Sequence, residues 1–192
     1  MRRLPPGMRE KVLAAAELFA EAGLDGAKME DVAAATGVPK ATLYYYFDGK
    51  EDILAFLFVE ILDELGRAVA GAVAGDGTAA ERLRAVVLAH LGVIEAFPAA
   101  SRALQYDLGR AARSPVIARH TDAAFVEPVR SLLEEGARDG SLRRVDHPRL
   151  VATAILGAVA TTGLNALTPR ARRPLARVAD DLTTFVLAGV AA

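Results

Sequence analysis

The chain has 192 residues, 53% of them hydrophobic and 24% charged, with a formal net charge of −1. That length and apolar content suit one medium domain or two small ones with a sizeable core, and argue against a disordered chain. There is no cysteine, which excludes disulfides and cysteine-ligated metals and fits a reducing cytoplasm; Met1-Arg-Arg-Leu-Pro-Pro-Gly7 has no apolar run behind its arginines, so no signal peptide is expected.

Strand signals are nearly absent and helix signals run end to end, so the expected fold is all-α with about nine helices. Val12, Ala16 and Phe19 recur at helical spacing in the first, which Gly23 ends. A second short helix turns Val32 and Ala33 inward. Gly37 then supplies a tight turn, because glycine enters the left-handed backbone region without steric cost. Val38 fills the angle between helices, and Pro39 sits in the first turn of the third, where a missing N–H costs nothing. From Lys40 to Phe47 the period buries Leu43 and Phe47 and leaves Lys40, Ala41, Thr42, Tyr44, Tyr45 and Tyr46 to the outer face or its edges. Two short helices joined this way form a helix-turn-helix, whose second helix lies in the major groove of DNA.

Asp48-Gly-Lys-Glu51 reads as a capping box opening a fourth helix at Lys50, which runs to about Ala74 on an inner stripe of Ile53, Leu54, Leu57, Ile61, Leu65 and Val69. Gly75-Asp-Gly77 breaks it. Thr78 and Glu81 form a second box, starting a helix that ends near Phe97-Pro98; another runs from about Ala99 to Arg113. Ser114-Pro115 opens a helix that Gly140 stops, and Pro128 inside it predicts a kink, since proline removes one backbone bond and crowds the preceding turn. His147-Pro148 starts the next, to about Leu167; Pro169 and Pro174 bracket the link to the last, through Val190. The domain reading is 1–50 for a three-helix DNA-binding domain and 51–192 for a larger helical one, sharing the fourth helix as a continuous rod. Leu150 to Pro169 carries no charge and is long enough to span a bilayer, but Thr153, Thr161, Thr162 and Asn165 interrupt it among small residues. A helix buried at a protein–protein interface is the expectation, with no membrane partner.

The run from Val12-Leu-Ala-Ala-Ala-Glu-Leu-Phe-Ala-Glu-Ala-Gly23 through Thr36-Gly-Val-Pro-Lys-Ala-Thr-Leu-Tyr-Tyr-Tyr-Phe-Asp-Gly-Lys-Glu51 resembles the DNA-binding domain of the TetR family of transcriptional regulators, over roughly residues 9–57. The Leu-Phe…Gly, Gly-Val and Leu-Tyr…Phe…Lys-Glu elements occur in order and at family spacing. The resemblance implies that Tyr44 and Tyr46 take phosphates while Lys40, Ala41, Thr42 and Tyr45 face base edges. The alternative for any one tyrosine is a ring packed on the first helix with its hydroxyl wet. Lys50, at a helix N-terminus that already favours an anion, is a further phosphate candidate, against a solvated surface lysine. Ala27 and Lys28 stand where the family usually has a capping Ser or Thr, so Lys28 is expected to recover that phosphate contact by charge. Ala41 stands where the family often has glycine.

Residues 1–50 carry seven Lys/Arg and seven Asp/Glu, so any positive surface comes from placement. Glu10, Glu17 and Glu21 are expected to face away from DNA, with Lys28, Lys40 and Lys50 towards it. Weak steering and modest non-specific affinity follow.

The larger domain offers no catalytic set: His90, His120 and His147 are scattered, with no Glu-x-x-His, Gly-x-Ser-x-Gly or phosphate-cradling loop, so neither enzyme activity nor a cofactor or metal is expected. By resemblance, Phe56, His90, Phe97, Gln105, Tyr106 and Phe125 lie on helices that line a ligand cavity, suited to an apolar or amphipathic small molecule; plain core packing is the alternative for each. The resemblance also implies a cytoplasmic repressor acting on a palindromic operator in double-stranded DNA. It would pair as a homodimer through the last two helices, with Ala154, Gly157, Ala158, Ala160 and Gly163 allowing close approach and Leu150, Ile155, Val159, Val186 and Leu187 supplying burial. Two rival readings stay open: a helical enzyme or carrier with a vestigial DNA domain, and a regulator that answers to a protein partner.

Overall fold

Glycine, proline and short capping side chains set where each helix starts and stops. The computed structural model describes residues 4–5, 7–107, 109, 113–168 and 173–190, and no β-strand occurs among them. Two compact units result, Met1–Ile61 with Ala99–Ala118, and Leu62–Pro98 with Arg119–Ala192. The division by packing falls inside a helix and gives the first unit a second segment that no local sequence signal joins to it.

In the first unit, α1 (Met8–Leu13) and α2 (Ala16–Gly26) replace the single first helix expected. The chain tightens between them, where Ala14 and Ala15 donate to carbonyls three residues back at 3.1 and 3.0 Å. Gly23 leaves the helical conformation at φ 65°, and a Cβ there would lie 2.8 Å from the Tyr106 ring, so dihedral and space both demand glycine. α3 (Met29–Thr36) ends at Gly37, φ 64°. The Thr36 hydroxyl donates to the Val32 carbonyl at 2.8 Å and accepts from Val38 N–H at 3.2 Å, fixing the turn. Then come α4 (Lys40–Tyr46) and α5 (Lys50–Val73). Pro39 is one residue outside α4, and its carbonyl accepts from Thr42 and Leu43. Val12, Phe19, Val32, Val38, Leu43 and Phe47 form the buried centre of the three-helix part. α7 (Pro98–Tyr106) completes the unit, and the stretch expected to continue it to Arg113 includes residues 108 and 110–112, outside the described set.

The expected box at the start of α5 is displaced. Asp48 N–H reaches the Asp52 carboxylate at 3.4 Å, so Asp52 takes the part assigned to Glu51. The inner stripe of α5 is buried throughout, from Ile53 to Val69.

In the second unit, α6 (Ala79–Ala96) opens on the expected capping box, with Thr78 N–H on the Glu81 carboxylate at 2.8 Å and Glu81 N–H on the Thr78 hydroxyl at 3.3 Å. Asp139 and Ser141 accept from the next free donors, Ala79 N–H and Ala80 N–H, from far along the chain. α8 (Pro115–Thr121), whose residues up to Ala118 belong to the first unit, begins at Ser114, whose hydroxyl accepts from Ile117 N–H at 3.4 Å. Where Pro128 is expected to kink the helix, the chain departs from regular α-helix just before it. Its missing donor is absorbed by a π turn, Asp122–Val126, where Glu127 N–H bonds Asp122 five residues back, and α9 (Glu127–Asp139) continues with Pro128 in its first turn. α10 (Pro148–Ala166) and α11 (Leu175–Val190) follow; Pro169, expected to bracket their link, lies outside the described residues.

α6, α9, α10 and α11 share one core, including Leu83, Val87, Leu133, Val159 and Leu182. Ile155, Val159 and Val186, expected between two copies, are buried within this chain instead. Gly163 is inside too, since a Cβ there would sit 2.7 Å from Leu91 and 2.8 Å from Ile94, whereas Gly157 faces open space. α10 is the described helix long and apolar enough to cross a membrane, yet only 28% of that stretch is buried in the chain.

Loss of the Thr78 cap is expected to cost about 1 kcal/mol, lowering the melting temperature by roughly 2–4 °C in Thr78→Ala. The Thr78 N–H and, after it, the Thr78 hydroxyl at 3.0 Å hold the Glu81 carboxyl below its ordinary range, and only the hydroxyl's share is removed in Thr78→Ala. That contribution is complete above the ordinary carboxylate pKa and lost as pH falls through the lowered value. The gap between Thr78→Ala and the unmodified protein should therefore narrow in acid, as melting curves across the acid range will record.

Candidate nucleic-acid interface

α4 owes its exposed face to what it buries. Leu43 and Phe47 point into the three-helix core, and Phe56 of α5 meets Phe47 edge to face at 5.8 Å between centroids. Lys40, Ala41, Tyr44 and Tyr45 are exposed, while Thr42 and Tyr46 are half-buried at the edges. Tyr44 and Tyr45 leave 50% and 60% of their surface open, large values for aromatic residues on so short a helix. Tyr45 and Tyr46 pack edge to face, 4.9 Å between centroids.

Charge on this face is arranged rather than abundant. Lys40 pairs with Glu30 of α3, its ammonium 5.8 Å from the Tyr44 ring centroid. The hydrogen bond from Lys40 holds the Glu30 carboxyl below its usual range, and Glu30 raises Lys40 in turn. Glu30 was not singled out by periodicity; only its place in the first turn of α3, before a lysine across the Gly37 turn, could have suggested it. Lys28 is exposed at the start of α3, and its backbone N–H donates to Asp31 at 3.1 Å, which supplies the cap that Ala27 and Lys28 side chains lack.

Lys50 is half-buried, with its ammonium donating to the carbonyls of Ala27 at 2.9 Å and Asp25 at 3.4 Å. A cation there satisfies carbonyls at the α2 C-terminal end and suits the helix dipole. Lys50 thus ties the start of α5 to the segment that leads into α3, with no acceptor for its third ammonium proton among the described residues. Glu17, expected away from DNA, pairs with Arg102 of α7 at 2.6 Å.

The six residues named for a ligand cavity divide between the units. Phe56 is buried against Phe47 in the first; Tyr106, 71% exposed, lies over Gly23; Gln105 is half-buried beside it in sequence. In the second unit Phe97 is exposed, whereas His90 and Phe125 are buried and meet with ring centroids 5.2 Å apart. Burial pushes the His90 imidazole down to about 4. No cluster of potential metal ligands occurs among the described residues.

Breaking the Lys40–Glu30 pair without adding charge should release a cation to the α4 face. Glu30→Gln is expected to tighten binding to all DNA sequences alike and to steepen the salt dependence by up to about one unit of slope. Fluorescence anisotropy over a salt series measures both, and unchanged values would remove Lys40 from the interface.

The model described as bacterial regulatory proteins, tetR family, matches residues 12–56, and the one described as tetracyclin repressor-like, C-terminal domain, matches residues 76–190. The chain is 30% identical over 140 residues to the HTH-type transcriptional repressor KstR2 of Rhodococcus jostii, covering 71% of this chain and 69% of that protein. It is 22% identical over 192 residues to the fatty acid metabolism regulator protein of Bacillus subtilis, covering 99% and 98%. The ketosteroid transcriptional regulator KstR2 of Mycobacterium tuberculosis shares the fold with a TM-score of 0.80 at 24% identity, over 98% of this chain and 97% of that one. So does FadR of Bacillus subtilis in complex with stearoyl-CoA, with a TM-score of 0.77 at 21% identity over 94% and 98%. With both family models matched in order along the chain, and a curated repressor aligned over most of it, the protein belongs to the TetR family of DNA-binding transcriptional regulators.

Proposed function

We propose that this regulator is a repressor that holds a palindromic operator as a homodimer and leaves it when an apolar or amphipathic small molecule binds the second unit. The observation that carries the DNA half is the face of α4, where Lys40, Ala41, Tyr44 and Tyr45 are exposed over a buried Leu43 and Phe47. Hydroxyls and ammonium groups at the helix edges suit phosphate oxygens, which fix register, while Ala41 and Thr42 are small enough to let the backbone approach base edges. Tyr46 and Lys28 extend the phosphate contacts to either side, and the third ammonium proton of Lys50 adds one more.

Dimerisation is supported by the open side of α10. Leu150, Ala154, Gly157 and Thr161 recur there at helical spacing, all exposed, and Leu150 and Phe185 of α11 leave 67% and 69% of their surfaces uncovered. A soluble chain rarely leaves such residues in a row to water. Two copies paired on this face would present two α4 helices to successive major grooves, about 34 Å apart. The ligand class is supported by relatives: a ketosteroid transcriptional regulator, a regulator of fatty acid metabolism, and a FadR bound to stearoyl-CoA. Large apolar molecules are common to those names.

The operator half is tested by selecting DNA from a random pool with the purified protein. A two-fold symmetric consensus is expected, and Tyr44→Phe should weaken binding to every variant of it; an asymmetric consensus would overturn the dimeric reading. The two glycines of α10 separate dimer from fold. Gly157→Leu should give a folded monomer by sedimentation that binds the operator poorly, whereas Gly163→Leu should lose about 1–3 kcal/mol of stability by over-packing against Leu91 and Ile94. A Gly157→Leu protein that stays dimeric would move the interface off this face.

A further inference from the structure

His90 lies in the middle of α6, among residues that pack the second unit, and it is 5% exposed. Its Nδ1 is enclosed and has no hydrogen-bond partner among the described residues. Polar atoms buried in this way are uncommon, because the water they give up is not replaced. Its ring faces Phe125, tilted by 58°. Phe125 is carried by the π turn Asp122–Val126, a departure from regular helix of the kind found often at functional sites. That turn comes close to α5, since a Cβ on Gly66 would lie 3.5 Å from Ala124. It is tethered at its start by a hydrogen bond between Asp63 and His120 at 3.1 Å and by an ion pair of Asp122 with Arg149. A well-braced irregular turn thus presses an aromatic ring against an unsatisfied imidazole.

We propose that His90 is the polar anchor of the effector site, donating from Nδ1–H to an uncharged carbonyl or hydroxyl oxygen on an otherwise apolar molecule, with Phe125 as the wall beside it. This rests on the ligand-released reading above and names the chemistry of its ligand. The imidazole is neutral at physiological pH, since its burial lowers the pKa to about 4. A neutral ring offers one donor and one acceptor and no charge. A carboxylate brought next to it would lose its hydration without gaining a cation, which is costly. An uncharged oxygen loses less and satisfies the vacant nitrogen. The apolar remainder of the ligand gains by leaving water.

The test uses the full-length protein and its selected operator, with dodecane, methyl decyl ketone, dodecyl alcohol and dodecanoate as probes of matched chain. The ketone and the alcohol are expected to weaken operator binding and to bind roughly tenfold more tightly than dodecane or dodecanoate, the size of one buried hydrogen bond. In ¹⁵N-histidine spectra the Nδ1 resonance of His90 should move with the ketone and stay in place with dodecane. His90→Leu should reduce ketone affinity roughly tenfold and erase its advantage over dodecane, while its melting temperature holds or rises, because an unsatisfied polar group has gone. His90→Gln, which keeps a donor, should recover part of the ketone preference. Ketone binding untouched by His90→Leu, dodecanoate binding as well as the ketone, or a static Nδ1 resonance would each overturn the anchor while leaving a ligand-released repressor intact. A fall in melting temperature with ketone preference retained would make His90 a packing residue. If no probe loosens the operator, the ligand-released reading fails, and the anchor with it.

Discussion

A seven-residue helix has no stability of its own in water, because the cost of nucleation is not recovered over so few bonds. α4 exists because Leu43 and Phe47 are buried behind it and because the Gly37 turn delivers it at one angle to α3. Every feature of the exposed face depends on that burial. Tyr44 and Tyr45 stand out from the surface because residues one and two positions away are locked in the core. Phe56 closes the arrangement from α5, and Lys50 closes it again by holding the carbonyls of Ala27 and Asp25. In the proposed reading, DNA recognition is therefore built on packing, with few residues free to vary independently.

Electrostatics adds a constraint of a different kind. The first fifty residues are neutral in sum, and the structure spends several of their cations internally: Arg9 on Glu60, Lys40 on Glu30, Lys50 on backbone carbonyls. A protein with that economy gains little from counterion release on random DNA. In the proposed reading, discrimination then relies on fit at the groove, where a tyrosine hydroxyl of α4 contributes only if the backbone geometry of the DNA meets it.

Local signals were legible because they act over three or four residues. Gly37, the Thr78–Glu81 box, Ser114-Pro115, Gly140 and the α5 stripe all occur where the sequence places them. The misreadings share one cause, which is that the deciding partner is distant or the alternatives are degenerate. Asp52 and Glu51 are both carboxylates near a helix start, and reach alone selects Asp52. Pro128 forbids one backbone bond without fixing how the preceding turn responds; here a π turn does so, with Ala124 packed near Gly66. Tyr106 could not be seen over Gly23 from spacing, since eighty-odd residues separate them. On α10, small residues signalled close approach without saying to what; Gly163 meets Leu91 and Ile94 in its own chain, and Gly157 meets nothing.

One helix carries evidence from both units. α5 begins with Lys50 on the carbonyls that precede α3, and further along it has Asp63 hydrogen-bonded to His120 and Gly66 opposite the π turn. In the proposed reading, a molecule held on His90 beside Phe125 acts on a turn that lies close to α5, the helix that begins with Lys50. Its effect on DNA is bounded by the difference between its affinities for the two states of the protein, however tightly it binds either one. The DNA must weaken the ligand by the same factor. A buried imidazole left without a partner among the described residues is suited to that demand. It makes the empty site slightly unfavourable, so a ligand that completes the hydrogen bond stabilises the state it occupies more than packing area alone would account for.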